Sequence, residues 1–302
     1  MDRFEYSDDF KALIVRLHRG KENWPNYPNY IRDHLGGPHS RVVTYTKYLC
    51  PEIEYHCGSL KGKRVLDFGC GTGATTAALA HFCEQVSAFD VDEESTTICK
   101  KRLEEHHLEN RVSLYHADDI DVVKDSLGVF DLILANGVIE HIPLTKSGSR
   151  RRIMLSLFHL LRDNGYIYIN DTPNRLLPFD FHSTQLWWIP WTKPGSQWAY
   201  RRAIRKGKHS DAPTISGGPL GLEEVGAWGA TYCEITGYFK GERFVCLNLV
   251  NGHNRHLYYA YPSTRYRSVF EFVTYYLLVK PFHVPMNAFA QSIPNLVIRK
   301  CT

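Results

Sequence analysis

The sequence lacks several features that would fix its class at once. Its eight cysteines, at 50, 57, 70, 83, 99, 233, 246 and 301, form no C-x-x-C pair and show no Cys/His ligand spacing. That argues against a disulfide framework and a structural zinc, and reads as reduced thiols in a cytosolic protein with no metal site expected. No run of about 18 apolar residues occurs, so no membrane-spanning helix is expected. The opening, MDRFEYSDDF, is acidic and polar, unlike a secretory signal. Charge of one sign is scarce as well. A net charge of +4 over 302 residues is too mild to indicate nucleic acid by itself. There is no internal repeat and no low-complexity tract.

What is present is a chain rich enough in apolar residues, 43%, to pack a core. Residues 1–58 read as a helical and aromatic cap, with FKALIVRLHR as one amphipathic helix. From 63 the pattern is regular. KRVLDF reads as a strand, ATTAALAHF as a helix and QVSAFD as a strand. A charged helix over 93–107 follows, with His106 and His107 expected to face solvent. RVSLYH and FDLILAN are two more strands. RRIMLSLFHLLRDNG is a helix stopped by Asn164-Gly165, and SRRRI before it reads as a solvated helix start. YIYIN is the fifth strand. Strands alternating with helices at this spacing predict a parallel sheet covered on both faces, an α/β class. The alternation then stops. Residues 174–220 hold a cluster of prolines and four of the six tryptophans, and form an aromatic-rich insertion, or lid. Beyond it, LEEVGAW reads as a short helix, TYCEITGY as a strand, RYRSVFEFVTYYLLV as an apolar helix and IPNLVIRK as a final strand.

VLDFGCGTGATTAALA, residues 65–80, is the stretch that carries chemistry. Gly69, Gly71 and Ala74 satisfy the dinucleotide fingerprint G-x-G-x-x-[GA]. Gly69, Gly71 and Gly73 satisfy the tighter G-x-G-x-G of another cofactor class. Ligands of such sheets sit beyond the carboxyl ends of the strands, where Asp67, Asp90, Asp118 and Asn136 stand. Asp67, two residues before the first glycine, would repel a pyrophosphate but not a cofactor bearing an ammonium and a sulfonium. Asp90, 21 residues after Gly69, suits a bidentate grip on ribose hydroxyls. Asp118, preferred over Asp119, suits an exocyclic adenine amine.

In order and spacing, VLDFGCGTG, AFD, HADDI and FDLILANGVIEHI resemble the successive motifs of class I S-adenosylmethionine-dependent methyltransferases, over roughly residues 60–172. The VIEHI ending looks like the branch that includes the ubiquinone-biosynthesis O-methyltransferases and many small-molecule and lipid methyltransferases. TPNRLLPFDFHS and IPNLVIRK look like bacterial members of that branch that modify lipid- or glycan-linked acceptors. The resemblance implies S-adenosyl-L-methionine as cofactor. It also implies a methyltransferase domain over 59–302 with a Rossmann-like, doubly wound sheet, mostly parallel, whose antiparallel last strand IPNLVIRK would supply. Class I relatives that methylate planar amines carry [ND]-P-P-[YF] after the fourth strand. Here that position reads NGVI, which disfavours nucleobase N-methylation and leaves RNA ribose methylation open.

A hydroxyl acceptor has to lose a proton during transfer. His141, five residues past Asn136, is the best-placed base, with a packing role at the strand end equally open. His182 is the second candidate, with Asp180 to orient it, and His34 and His39 are weaker ones. Trp187, Trp188, Trp191 and Trp198 precede Arg201, Arg202, Arg205, Lys206 and Lys208. Indoles favour membrane interfaces and stack on sugars, and adjacent cations favour phosphates. The expectation is O-methylation of a hydrophobic, glycosidic or lipid-linked small molecule, with a peripheral membrane contact open and Trp187, Trp188, Trp191 and Asp180 at the acceptor. The alternatives are an RNA or protein methyltransferase using the basic stretch 201–208, and a non-catalytic protein that only binds the nucleoside.

Overall fold

The structure is a computed structural model of the chain. It describes residues 4–17, 31, 34–38, 40–144, 149–209, 221–247, 273, 275–282, 284, 286–289, 292–293 and 296–302. The chain forms two compact units. One comprises Met1–Asn136 and Leu155–Ile167, the other Gly137–Met154 and Tyr168–Thr302.

In the first unit, α1 (Asp8–Leu17) precedes a regular alternation. It runs β1 (Arg64–Phe68), α2 (Ala74–Ala80), β2 (Gln85–Asp90), α3 (Glu93–Glu105), β3 (Val112–His116), α4 (Ile120–Leu127) and β4 (Phe130–Asn136). β1 pairs in parallel with β2, Val65 opposite Val86, and with β4, Val65 opposite Leu132. β2 pairs in parallel with β3. Val65, Leu66, Leu132, Ile133, Leu134 and Ala135 are wholly buried. Such unbroken apolar runs are what a strand covered on both faces requires. α2 is small residues apart from Leu79, all buried, so its backbone can lie close to its neighbours. α3 begins at Asp92, whose carboxylate accepts from the Ser95 N–H, as an N-cap should.

α5 (Ser149–His159) and β5 (Leu161–Asn170) each contribute to both units. The second unit then carries α6 (Gln197–Arg205), α7 (Tyr232–Tyr238), β6 (Phe244–Cys246) and β7 (Leu296–Lys300). The strand order is β3-β2-β1-β4-β5-β7-β6, and β7 runs antiparallel to β6. This is the doubly wound, mostly parallel sheet with an antiparallel last strand. A core of Ile189, Ala199, Ala203, Leu222, Ala227 and Trp228 underlies the aromatic segment.

Four local expectations change. TYCEITGY is helix α7, not a strand, because Thr231 and Glu234 close a capping box. LEEVGAW is a run of turns, with Gly226 at φ 80° and Gly229 at φ 47° breaking any helix. The helix before the fifth strand ends at His159, where the Leu160 carbonyl accepts from the Phe130 N–H. Asn164, at φ 61°, and Gly165 therefore lie inside the strand span. A Cβ on Gly165 would meet three backbone oxygens at 2.9–3.2 Å, which is why glycine stands there. Arg150 of SRRRI is buried, not solvated. RYRSVFEFVTYYLLV falls mostly outside the described residues; its end, Tyr275–Val279, is π-helical.

Candidate active site

The glycine loop in the first unit is built around two carboxylates, Asp67 and Asp90, and the N-terminus of α2. Gly69 and Cys70 donate backbone N–H groups to the Phe89 carbonyl, 2.8 and 3.0 Å away, fixing the loop to the end of β2. Gly73 takes φ 82°, and a Cβ there would meet the Cys99 Sγ at 2.5 Å. Only glycine lets the loop pass so close to α3. Gly71, at φ 50°, has nothing within 4 Å of where its Cβ would be, so the loop keeps open space on that side. Asp67 is buried, and its carboxylate accepts from the Thr76 hydroxyl at 2.6 Å. Burial pushes its pKa up to about 7, and nearby Asp90 adds to the rise while the Thr76 bond opposes it. Asp90 accepts from the Gly71 N–H at 2.6 Å and from the Asp92 N–H at 3.0 Å. Burial raises its pKa too, against these backbone donors. Asp119 is the N-cap of α4, accepting from the Asp121 N–H, while Asp118 beside it is exposed. Asn136 donates its amide to the Thr75 hydroxyl at 3.0 Å.

Behind the loop lies a network that the sequence reading missed. Arg102, fully buried, donates from Nε to the Thr72 carbonyl at 2.7 Å, in the middle of the glycine loop. Its other nitrogens meet the Tyr6 hydroxyl and, at 3.2 Å, His34 Nδ1. His34 therefore stands behind the loop rather than before it. His106, expected in solvent, is buried, stacks on Phe4 and bonds to the Tyr6 hydroxyl at 3.0 Å. Burial and the Arg102 charge push its pKa down to about 3. His39 lies outside the described residues.

In the second unit, the chain leaving β4 turns through Ile139–His141, a short 3-10 helix. This turn brings together Glu140, His141 and His182, whose ligand-type atoms all lie within 4.8 Å of one another. His141 Nδ1 lies 2.6 Å from the Glu224 carbonyl. A carbonyl only accepts, so Nδ1 carries the hydrogen, and in the neutral ring Nε2 is the nitrogen with the lone pair. Nε2 is 4.0 Å from Glu140 Oε1. The Glu140 side chain is completely buried, and neither of its oxygens has a hydrogen-bond partner among the described residues. Burial pushes its pKa up to about 7, opposed by His182. Buried Arg150 donates to the backbone carbonyls of Glu140, at 3.0 Å, of Ile142, at 2.7 Å, and of Gly229, and so clamps the turn.

Glu140 and Arg150 were missed because an acid and a basic cluster read as surface. An acid between Ile139 and Ile142 at a strand's carboxyl edge was the signal. Asp180 accepts from the N–H groups of His182, Ser183 and Thr184 and from the Thr184 hydroxyl, so it shapes the backbone that carries His182. Trp187, Trp188, Trp191 and Trp198 are between 51% and 57% exposed, too open for ordinary core indoles. Arg202 stacks over the Trp198 ring, while Arg201 and Arg205 are exposed on α6.

A family model described as a methyltransferase domain matches residues 44–216, more than half of the chain. The rRNA N(6)-adenosine-methyltransferase metl-5 of Caenorhabditis elegans is 38% identical over 79 residues, 25% of this chain and 37% of that protein. The chain thus spans little more than a third of that relative. The ubiquinone biosynthesis O-methyltransferase of Bordetella avium is 26% identical over 186 residues, 61% of this chain and 72% of that protein. Among solved structures, the N-terminal domain of EvdMO1, in the presence of SAH and D-fucose, aligns with a TM-score of 0.38 and 20% identity, over 56% of this chain and 67% of that one.

Proposed function

Because the chain belongs to the class I S-adenosylmethionine-dependent methyltransferases, with S-adenosylmethionine as cofactor, we propose that it is an active O-methyltransferase for a hydrophobic, glycosidic or lipid-linked small molecule. The first unit holds the cofactor: Asp67 faces its ammonium, Asp90 its ribose hydroxyls and Asp118 its adenine amine, around Gly69, Gly71, Gly73 and Asn136. The second unit receives the acceptor.

The observation that carries the oxygen assignment is the Glu140–His141–His182 cluster, directly after β4. The sulfonium already makes the methyl transferable, so the enzyme contributes alignment and exclusion of water. The acceptor oxygen attacks the methyl carbon in line, the carbon–sulfur bond breaks, and sulfur keeps the electron pair. The hydroxyl proton leaves at the cluster, with His141 or His182 at hand to take it. The exposed indoles favour an acceptor with an apolar or sugar face. An RNA acceptor is the second reading, favoured by exposed Arg201, Arg205 and Lys206.

Incubating cell extracts with the protein and radiolabelled methyl donor tests both. Label in an organic-extractable or glycan fraction, stable to alkali as an ether is, supports the proposal. Label confined to RNA or to precipitated protein, or donor bound without transfer, overturns it.

A further inference from the structure

We propose that Glu140, His141 and His182 form a binding site for a divalent transition-metal cation. The proposal deepens the O-methyltransferase reading: a bound cation would make the acceptor's hydroxyl more acidic, with the two histidines as ligands in place of the base named above.

Three independent features converge on it. The first is the donor set. Two imidazoles and one carboxylate, all within 4.8 Å of one another, are the mixed nitrogen–oxygen ligands that Zn²⁺, Co²⁺, Mn²⁺ and Fe²⁺ accept. The second is the state of Glu140. A completely buried side chain with both oxygens unpartnered is costly unless something cationic meets it. The third is the wiring of His141. Its Nδ1–H is committed to the Glu224 carbonyl at 2.6 Å, which turns Nε2 and its lone pair toward Glu140. Ligating histidines are held in this way, with the second nitrogen donating to a carbonyl or carboxylate.

Local backbone is shaped to leave the space. Gly226, at φ 80°, sits against both partners: a Cβ there would lie 2.8 Å from Glu140 Cγ and 3.1 Å from His182 Cδ2. A tetrahedral shell with bonds of about 2.1 Å spaces its ligand atoms at about 3.4 Å. The observed spread is wider, so binding draws the ligands inward by about 1 Å. The two histidines are both exposed and have room to move, whereas Glu140 is held by the Arg150 clamp on its backbone. Three protein ligands leave at least one coordination position for the acceptor oxygen. Its hydroxyl proton then passes to solvent, and the oxygen attacks the methyl carbon while the carbon–sulfur bond breaks toward sulfur.

The test uses the full chain, stripped with chelator and dialysed. Co²⁺ is added and its visible d–d absorption followed, with Zn²⁺ as competitor. Saturable binding of about one Co²⁺ per chain, displaced by Zn²⁺, is expected. His182→Ala, at an exposed position that tolerates truncation, weakens it at least about tenfold, and Glu140→Gln does the same. No saturable Co²⁺ binding to the wild type, or binding untouched by His182→Ala, overturns the site. Methyl transfer is assayed separately before and after metal is restored. Full transfer by metal-free protein overturns the cation's part in proton removal and leaves the O-methyltransferase reading standing. Metal bound with no transfer to any acceptor does the reverse.

Discussion

Asp67 and Glu140 are both completely buried carboxyl groups whose pKa burial lifts to about 7. Their surroundings differ. Asp67, near the end of β1, accepts from the Thr76 hydroxyl at 2.6 Å. Glu140 has no hydrogen-bond partner for either oxygen among the described residues. The same desolvation therefore acts on a group that is already part of a scaffold and on a group left available. In the first unit, carboxylates hold backbone: Asp90 takes the Gly71 and Asp92 N–H groups, and Asp119 caps α4. In the second, the backbone is held by Arg150 and Asp180, and the carboxylate of Glu140 is spared. A buried polar group without partners is a cost that a fold keeps only where something is gained. The contrast is what the proposed division of labour rests on, with binding in the first unit and proton handling in the second.

The contrast is broken most directly at Glu140. Glu140→Gln keeps the shape and removes the charge. Turnover with saturating methyl donor is expected to fall by about 10²–10⁴, while calorimetric affinity for the donor stays within a few-fold. A turnover within about threefold of wild type would make Glu140 a structural residue. The matching change in the first unit is Asp90→Ala. With Asp90 on the ribose hydroxyls as proposed, the change strands charge-assisted bonds, so donor affinity should fall by about 1.5–3 kcal/mol, or roughly 10–150-fold. Because Asp90 also holds the Gly71 N–H, a thermal melt without ligand separates the two effects. Loss of affinity at an unchanged melting temperature assigns it to the ribose. Unchanged affinity would mean that Asp90 only ties the loop.

Much of the first unit was legible in the sequence, because its strands are buried on both faces and its loop needs glycine at fixed places. Val65–Phe68, Gln85–Asp90 and Phe130–Asn136 announce themselves as largely apolar runs with Asp67, Asp90 and Asn136 at or next to their carboxyl ends. His141 and His182 were legible as candidates from chain order alone. What was not legible depends on contacts between residues far apart in the chain. Arg102 reads as one charge of a charged helix until Tyr6, His34 and the Thr72 carbonyl converge on it from residues 30 to 96 positions away. His106 is buried for the same reason, under Phe4 and Tyr6. In the second unit, TYCEITGY has the β-branched and aromatic composition of a strand. The capping box at Thr231 and Glu234 outweighs that composition locally.

The smallest effect is a pH dependence, and it separates scaffold from availability within Asp67 itself. The pKa of Asp67 in the folded chain, about 7, lies above its ordinary 3.8. Burial thus favours the protonated form. This group supports the ligand-free fold fully below about pH 4, and that support is lost as pH rises through 7. Binding a cationic cofactor beside Asp67 demands the opposite, the ionised form. Donor affinity should therefore be full above pH 7 and fall by roughly tenfold per unit below it, until the pKa of the complex is reached. The donor's own amino group titrates near 7.7–8 and would distort a single profile. Asp67→Asn removes the carboxyl and leaves that second titration in place, so the difference between the two profiles belongs to Asp67. The variant should bind more weakly at pH 8 and lose the fall between pH 7 and pH 6. It should also be the more stable of the two without ligand at pH 8, since no charge is then buried. Parallel profiles for wild type and variant would mean that Asp67 serves only to hold Thr76, and that the ammonium is met by another group.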